Sequence, residues 1–181
     1  MLTELQKRKL LHTFDLWDCN GNGYIEQADY VVVADRLAQT RGWAKGSPED
    51  AHAQAMYAAG WQFMEQFADV DHNKQVTRDE WLTCFDSLFQ NPDAYQQLIV
   101  GTAEFNFAVA DVDGDGAWTL DEYRLYLQTL NAPTDHAAAV FHQTDATGTG
   151  HMTKATLTQL LNEYFLSDDP AAVGNLLLGA Y

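Results

Sequence analysis

The stretch Asp111-Val112-Asp113-Gly114-Asp115-Gly116-Ala117-Trp118-Thr119-Leu120-Asp121-Glu122 decides the fold. It places acids at positions 1, 3, 5 and 12 of a twelve-residue frame, with glycine at position 6. A hard dication of this kind of site takes roughly six to eight oxygens. Asp111, Asp113 and Asp115 bring side-chain oxygens from one tight turn. Ala117 brings a backbone carbonyl, and Glu122 is long enough to close the shell with both carboxylate oxygens. Gly116 supplies the positive φ that the sharp bend requires. An acidic turn on a solvated surface is the competing reading, but it gives no reason for every residue to be in register.

The spacing is that of an EF-hand calcium loop, and the frame recurs three more times with an apolar residue at position 8. Loop one runs from Asp18 to Asp29, with Asn20, Asn22, Gly23 and Ile25 in frame. Loop two runs from Asp69 to Glu80, with Asp71, Asn73 and Val76 in frame. Loop four runs from Asp145 to Thr156, with Thr147, Thr149, Gly150 and Met152 in frame. Apolar residues near the helical period flank each loop, such as Leu5, Leu10, Leu11, Phe14 and Trp17 before loop one. Met56, Trp61, Met64, Phe67 and Ala68 precede loop two, and Leu98, Phe105, Ala108 and Val109 precede loop three. Breaks fall at Gly42–Pro48, at Asn91-Pro92-Asp93 and at Asn131–Thr134. The expected architecture is all-α, with four EF-hands in two pairs over residues 1–91 and 92–181. Short β bridges join paired loops, Ile25 meeting Val76 and Trp118 meeting Met152. The long connection between hands one and two is read as extra helix and loop.

The four loops differ in their chemistry. Loop three carries four acidic ligands and should bind Ca2+ most tightly. Loop two offers Asp69, Asp71, Asn73, the Gln75 carbonyl and Glu80, but Lys74 stands at position 6. A non-glycine residue at positive φ costs roughly 1 kcal/mol, and Lys74 and Arg78 add positive charge, so weaker binding or a metal-free closed loop is expected. Loop one offers Asp18, Asn20, Asn22, the Tyr24 carbonyl and Asp29. Aspartate at position 12 is one methylene shorter than glutamate and favours a single oxygen, which moves the site toward Mg2+. Glu26 at position 9 is positioned to add an oxygen. Loop four has Asp145 as its one acid at a ligand position and Thr156 where a closing carboxylate is needed, so it is read as a structural partner of loop three. Three Ca2+ ions are expected, with Mg2+ an alternative at loop one.

Composition narrows the rest. The chain has 181 residues, 46% hydrophobic and 12% aromatic, enough for a real core. Its 26 acids against 10 bases give a formal charge of −16, which argues against nucleic acid and anionic membranes. Such a chain repels itself, so a bound cation should stabilise the fold. No apolar run approaches the roughly 18 residues of a membrane helix, and the N-terminus is too charged for a signal peptide. Cys19 and Cys84 fall in no CxxC or CxxH spacing and are expected to be free thiols in a reducing, cytoplasmic setting. A monomer is expected.

Four hands, the third complete and the fourth decayed, resemble the sarcoplasmic calcium-binding protein family and its bacterial, calerythrin-like relatives. Asp29 at position 12 of the first hand and the tail from Ser167 to Tyr181 carry the same resemblance. It implies a compact, helical, non-catalytic calcium buffer. Luciferin-binding proteins and calcium-regulated photoproteins resemble this fold too. Those photoproteins use loop four and a histidine near the C-terminus, whereas here loop four is decayed and no histidine follows His151.

A calcium sensor opens to show a methionine-rich groove. This chain has four methionines, one of them Met1, and its interior reads as aromatic, through Trp17, Trp61, Trp81 and Trp118. The apolar end, Val173 to Tyr181, is expected to fold back into the C-terminal half's own groove, the alternative being a frayed tail. The six histidines form no HExxH, and no phosphate-binding loop or nucleophile elbow occurs. The leading reading is a calcium buffer rather than an enzyme. The alternatives are a sensor with an unknown protein target, or a carrier of an apolar small molecule.

Overall fold

The computed structural model describes residues 1–145 and 148–181. Among them are eight α-helices in four helix–loop–helix units: α1 Glu4–Trp17 and α2 Gln27–Thr40; α3 Pro48–Ala68 and α4 Arg78–Phe89; α5 Pro92–Ala110 and α6 Leu120–Thr129; α7 Ala137–Thr144 and α8 Lys154–Leu166. Two-residue strands β1 Tyr24–Ile25, β2 Val76–Thr77, β3 Ala117–Trp118 and β4 Met152–Thr153 lie inside the loops. β1 pairs antiparallel with β2 and β3 with β4, which sets Ile25 opposite Val76 and Trp118 opposite Met152, as expected.

Local chemistry starts the helices where the loops end. Thr77 and Thr119 are N-caps whose hydroxyls accept the N–H of Glu80 and Glu122. Those glutamates accept the cap residues' own N–H in return, a reciprocal capping box. The same carboxylates are the expected position-12 ligands, so one residue starts the exit helix and faces the loop. Ser47 and Asn91 cap α3 and α5, each followed by proline at the first helical position, where its missing N–H costs nothing.

One apolar cluster runs through both hand pairs. Phe85 of α4 stacks on Phe165 of α8 with centroids 5.5 Å apart, and Tyr57 of α3 meets Phe105 of α5 edge-on at 5.2 Å. Each such aromatic pair adds about 1 kcal/mol beyond area burial. Two positions depart from the expected stripes. Phe67 and Ala108 are exposed, and Phe107 takes the core place instead, stacked on the fully buried Trp118 at 4.8 Å. No described helix is long and apolar enough to cross a membrane.

The C-terminal tail is docked, not frayed. After α8 the chain makes a short 3-10 turn, Val173–Leu176, and buries Leu177 and Leu178. The Tyr123 hydroxyl donates to the Leu177 carbonyl at 2.7 Å. A Cβ on Gly174 would lie 2.4 Å from that of Glu163 and 2.6 Å from the Leu160 carbonyl, so only glycine fits there. The tail also reaches α1, beyond the C-terminal half where it was expected to stay. The Lys9 amine, fully buried, donates to the carbonyls of Glu163 and Ser167 and to Asn175 Oδ1. Those three acceptors match the three donors of an ammonium. Burial lowers the Lys9 amine toward about 8, opposed by the charge of Asp168.

Candidate metal centres

All four loops are braced by the carboxylate at position 1. Asp18 accepts the N–H groups of Asn22 and Gly23, and Asp69 those of Asn73 and Lys74. Asp111 accepts those of Gly114 and Gly116, and Asp145 those of Thr149 and Gly150. Side-chain oxygens at position 3 then take the N–H of position 5: Asn20 from Asn22, Asp71 from Asn73, Asp113 from Asp115. Position 5 takes the N–H of position 7: Asn22 from Tyr24, Asn73 from Gln75, Asp115 from Ala117. These bonds wind loops one to three into the same concave turn.

Position 12 closes that turn. Glu122 spans from the Val112 N–H at 2.7 Å to the Thr119 N–H at 2.8 Å, and Glu80 from Val70 to Thr77 in the same way. Burial alone would raise both carboxyls, but the N–H and threonine hydroxyl donors outweigh it and hold them below the usual glutamate range. Asp29 makes the equivalent span, from Cys19 N–H at 3.0 Å to Glu26 N–H at 2.9 Å, with the shorter side chain. It is fully buried, and that burial raises its carboxyl despite the two N–H donors. Glu26 lies across loop one, 3.0 Å from Asn22 Nδ2 and 3.4 Å from Gln75 Nε2 of the paired loop.

The acids gather as a cation needs in two places. Asp69, Asp71 and Glu80 offer carboxylate oxygens within 4.8 Å of one another, and so do Asp111, Asp113 and Asp115. Like charges held so close raise their own cost until an opposite charge sits among them. A hard dication with oxygen ligands fits both groups. In loop four Asp145 has no such company among the described residues. Thr156 instead meets the Thr153 hydroxyl at 3.0 Å, while Thr147 lies outside the described residues.

Two features lay beyond the sequence reading. Every loop bends twice through left-handed backbone, at position 4 as well as position 6. Glycine fills both in loops one, three and four, but loop two has His72 at φ 59° and Lys74 at φ 67°. Each costs roughly 1–2 kcal/mol, so loop two carries twice the strain that Lys74 alone implies. The second feature concerns Arg78, whose guanidinium pairs with Asp15 of α1 and sits 4.9 Å from the Phe14 ring centroid. Its charge is therefore largely answered within α1. Cys19 and Cys84 are unbonded thiols, and burial pushes Cys84 up to about 12.

No protein-family model matches the chain. Calerythrin of Saccharopolyspora erythraea is 23% identical over 166 residues, 91% of this chain and 94% of that protein. The structure of a Streptomyces coelicolor calcium-binding protein superposes with a TM-score of 0.70 at 27% identity, covering 88% of this chain and 97% of that one. The structure of a sarcoplasmic calcium-binding protein from amphioxus matches at a TM-score of 0.72 and 24% identity, over 100% of both chains. The homologues are non-enzymatic calcium-binding proteins. With its eight helices, two antiparallel bridges and oxygen-rich loops, the chain is an EF-hand calcium-binding protein related to calerythrin and to the sarcoplasmic calcium-binding proteins.

Proposed function

We propose that the protein is an intracellular, monomeric calcium buffer in which loops one, two and three each hold one ion and loop four holds none. The ligands are the side chains and position-7 carbonyls assigned to those loops above, with Asp29 opening loop one to Mg2+. The two hand pairs, 1–91 and 92–181, act as the functional halves. The observation that carries the buffer reading is the docked tail. Leu177 and Leu178 are buried and the tail is fixed to both α1 and α6. Filling the groove of the C-terminal half from within supports a buffer over a sensor.

Calorimetric Ca2+ titration in millimolar Mg2+ tests the reading, because it counts ions and reports competition together. Three Ca2+ per chain, with one site weakened by Mg2+, is the expected result. A count of two or four would overturn the assignment of loops. A sensor is the alternative, favoured by the subject of the Streptomyces structure, which is calcium-mediated regulation. An anionic hydrophobic dye separates the two. Little change in its fluorescence between Ca2+ and chelator fits the buffer, and a large Ca2+-dependent rise fits the sensor.

A further inference from the structure

Between the two hand pairs lies a cavity of about 460 Å³. Concave apolar spaces of this size are typical of small-molecule sites. α1, α2, α3 and α4 wall it on one side and α5, α6 and α8 on the other, and Leu178 of the tail also lines it. No charged side chain is found among its described lining residues, in a chain with 26 acids and 10 bases. Aromatic rings dominate instead: Trp17, Tyr30, Trp81, Phe85, Phe105 and Phe165.

The opening falls between α3 and α5. Phe63 and Phe67 of α3 line the cavity yet are 49% and 41% exposed, and they stack on each other at 5.6 Å. Gln97 and Gly101, also lining and exposed, face them from α5. Deeper in, the wall holds one polar pair. Asn106, only 6% exposed, donates through Nδ2 to the Tyr126 hydroxyl oxygen at 3.1 Å. That leaves the Asn106 Oδ1 acceptor and the Tyr126 hydroxyl proton without a partner among the described residues. A donor and an acceptor side by side in an apolar wall offer a ligand its hydrogen bond, and small-molecule sites have this form, apolar walls with a few convergent polar groups.

We propose that this cavity is a binding site for an uncharged, flat aromatic molecule that carries one N–H or O–H group. Its rings stack among the aromatic walls, and its polar edge gives a proton to Asn106 Oδ1 or accepts one from Tyr126. The absence of charge in the wall excludes nucleotides, phosphates and metal ions as occupants. This site is separate from the loops, so it stands whether or not three ions bind.

The probe is N-phenyl-1-naphthylamine, an uncharged diarylamine that brightens in apolar surroundings, titrated into the full chain in saturating Ca2+. Saturable binding of one probe per chain is expected. Gly101→Leu should lower that affinity by about tenfold or more, since the new side chain narrows the opening. A Cβ at Gly101 meets nothing within 4 Å, and a helical glycine replaced this way gains helix propensity, so folding and Ca2+ titration should be unchanged. Asn106→Leu, which removes the Oδ1 acceptor, should weaken the amine probe several-fold while leaving 1-phenylnaphthalene, which lacks the N–H, nearly unaffected. No saturable signal, or equal affinity in wild type and both variants, would overturn the proposal.

Discussion

Loops three and four share nearly everything except charge. Each begins with an aspartate that gathers backbone N–H groups, Asp111 and Asp145. Both bend through left-handed glycine at position 6, Gly116 and Gly150, and both start the next helix with a threonine cap. Their strands pair, Trp118 against Met152. The difference lies at the positions that would face an ion. Asp115 and Glu122 in one loop stand where Thr149 and Thr156 do in the other. Folding this turn therefore takes one braced aspartate, two left-handed bends and a cap. Holding a dication takes, in addition, several carboxylates that tolerate one another only because a cation will come.

Making loop three resemble loop four should have the largest effect. Glu122→Gln keeps an acceptor for the Thr119 cap and removes the closing charge. Ca2+ affinity at that loop should fall by roughly a hundredfold, about 2.7 kcal/mol, while helicity holds. Calorimetry should then count two ions instead of three. The fluorescence response of Trp118, on the bridge to loop four, should vanish with the same substitution. An unchanged ion count at unchanged affinity would remove Glu122 from the site.

A feature is legible in the sequence to the extent that neighbouring residues set it. The pairing of Ile25 with Val76 was legible because the loop frame fixes which residue stands on the bridge. The second left-handed bend was not, since position 4 is set by the backbone path of the whole turn and His72 carries no sign of it. The burial of Lys9 was not legible either. Its acceptors sit some 150 positions away in sequence, and charge alone marks it as surface. The aromatic residues read as rigid packing because composition gives their size but not the volume they leave between them. Trp17, Tyr30 and Phe105 turn out to line a void as well as a core.

The reverse conversion should have a smaller effect. Thr149→Asp with Thr156→Glu restores two charges to loop four in a turn already braced by Asp145. Weak Ca2+ binding there should strengthen by at least about tenfold, roughly 1.4 kcal/mol, and appear as a fourth ion in titration at high calcium. If no additional ion is taken up, charge is not the only thing loop four lacks. Smaller again is the release of strain in loop two. Lys74→Gly at φ 67° should tighten that loop by about fivefold, near 1 kcal/mol, and His72→Gly at φ 59° by a similar amount. Calorimetry of each variant against wild type measures it, and a loss of affinity would mean that lysine or histidine contributes more than its backbone cost.

At position 12 loop one differs from loop three in the length of the closing acid and not in its charge. Asp29 already spans from Cys19 N–H to Glu26 N–H, the contacts that Glu122 makes with a longer chain. The shorter acid is therefore drawn in toward the turn and fully buried. Asp29→Glu should return a second oxygen to the ion and raise the preference for Ca2+ over Mg2+ a few-fold, since Ca2+ accepts the higher coordination number. Residue 29 is fully buried, so the added methylene should lower thermal stability without metal by about 1 kcal/mol. Parallel Ca2+ and Mg2+ titrations decide the first point and chelator-state melting the second. Equal affinities for both ions before and after the change would mean that the length of residue 29 does not set the selectivity of loop one.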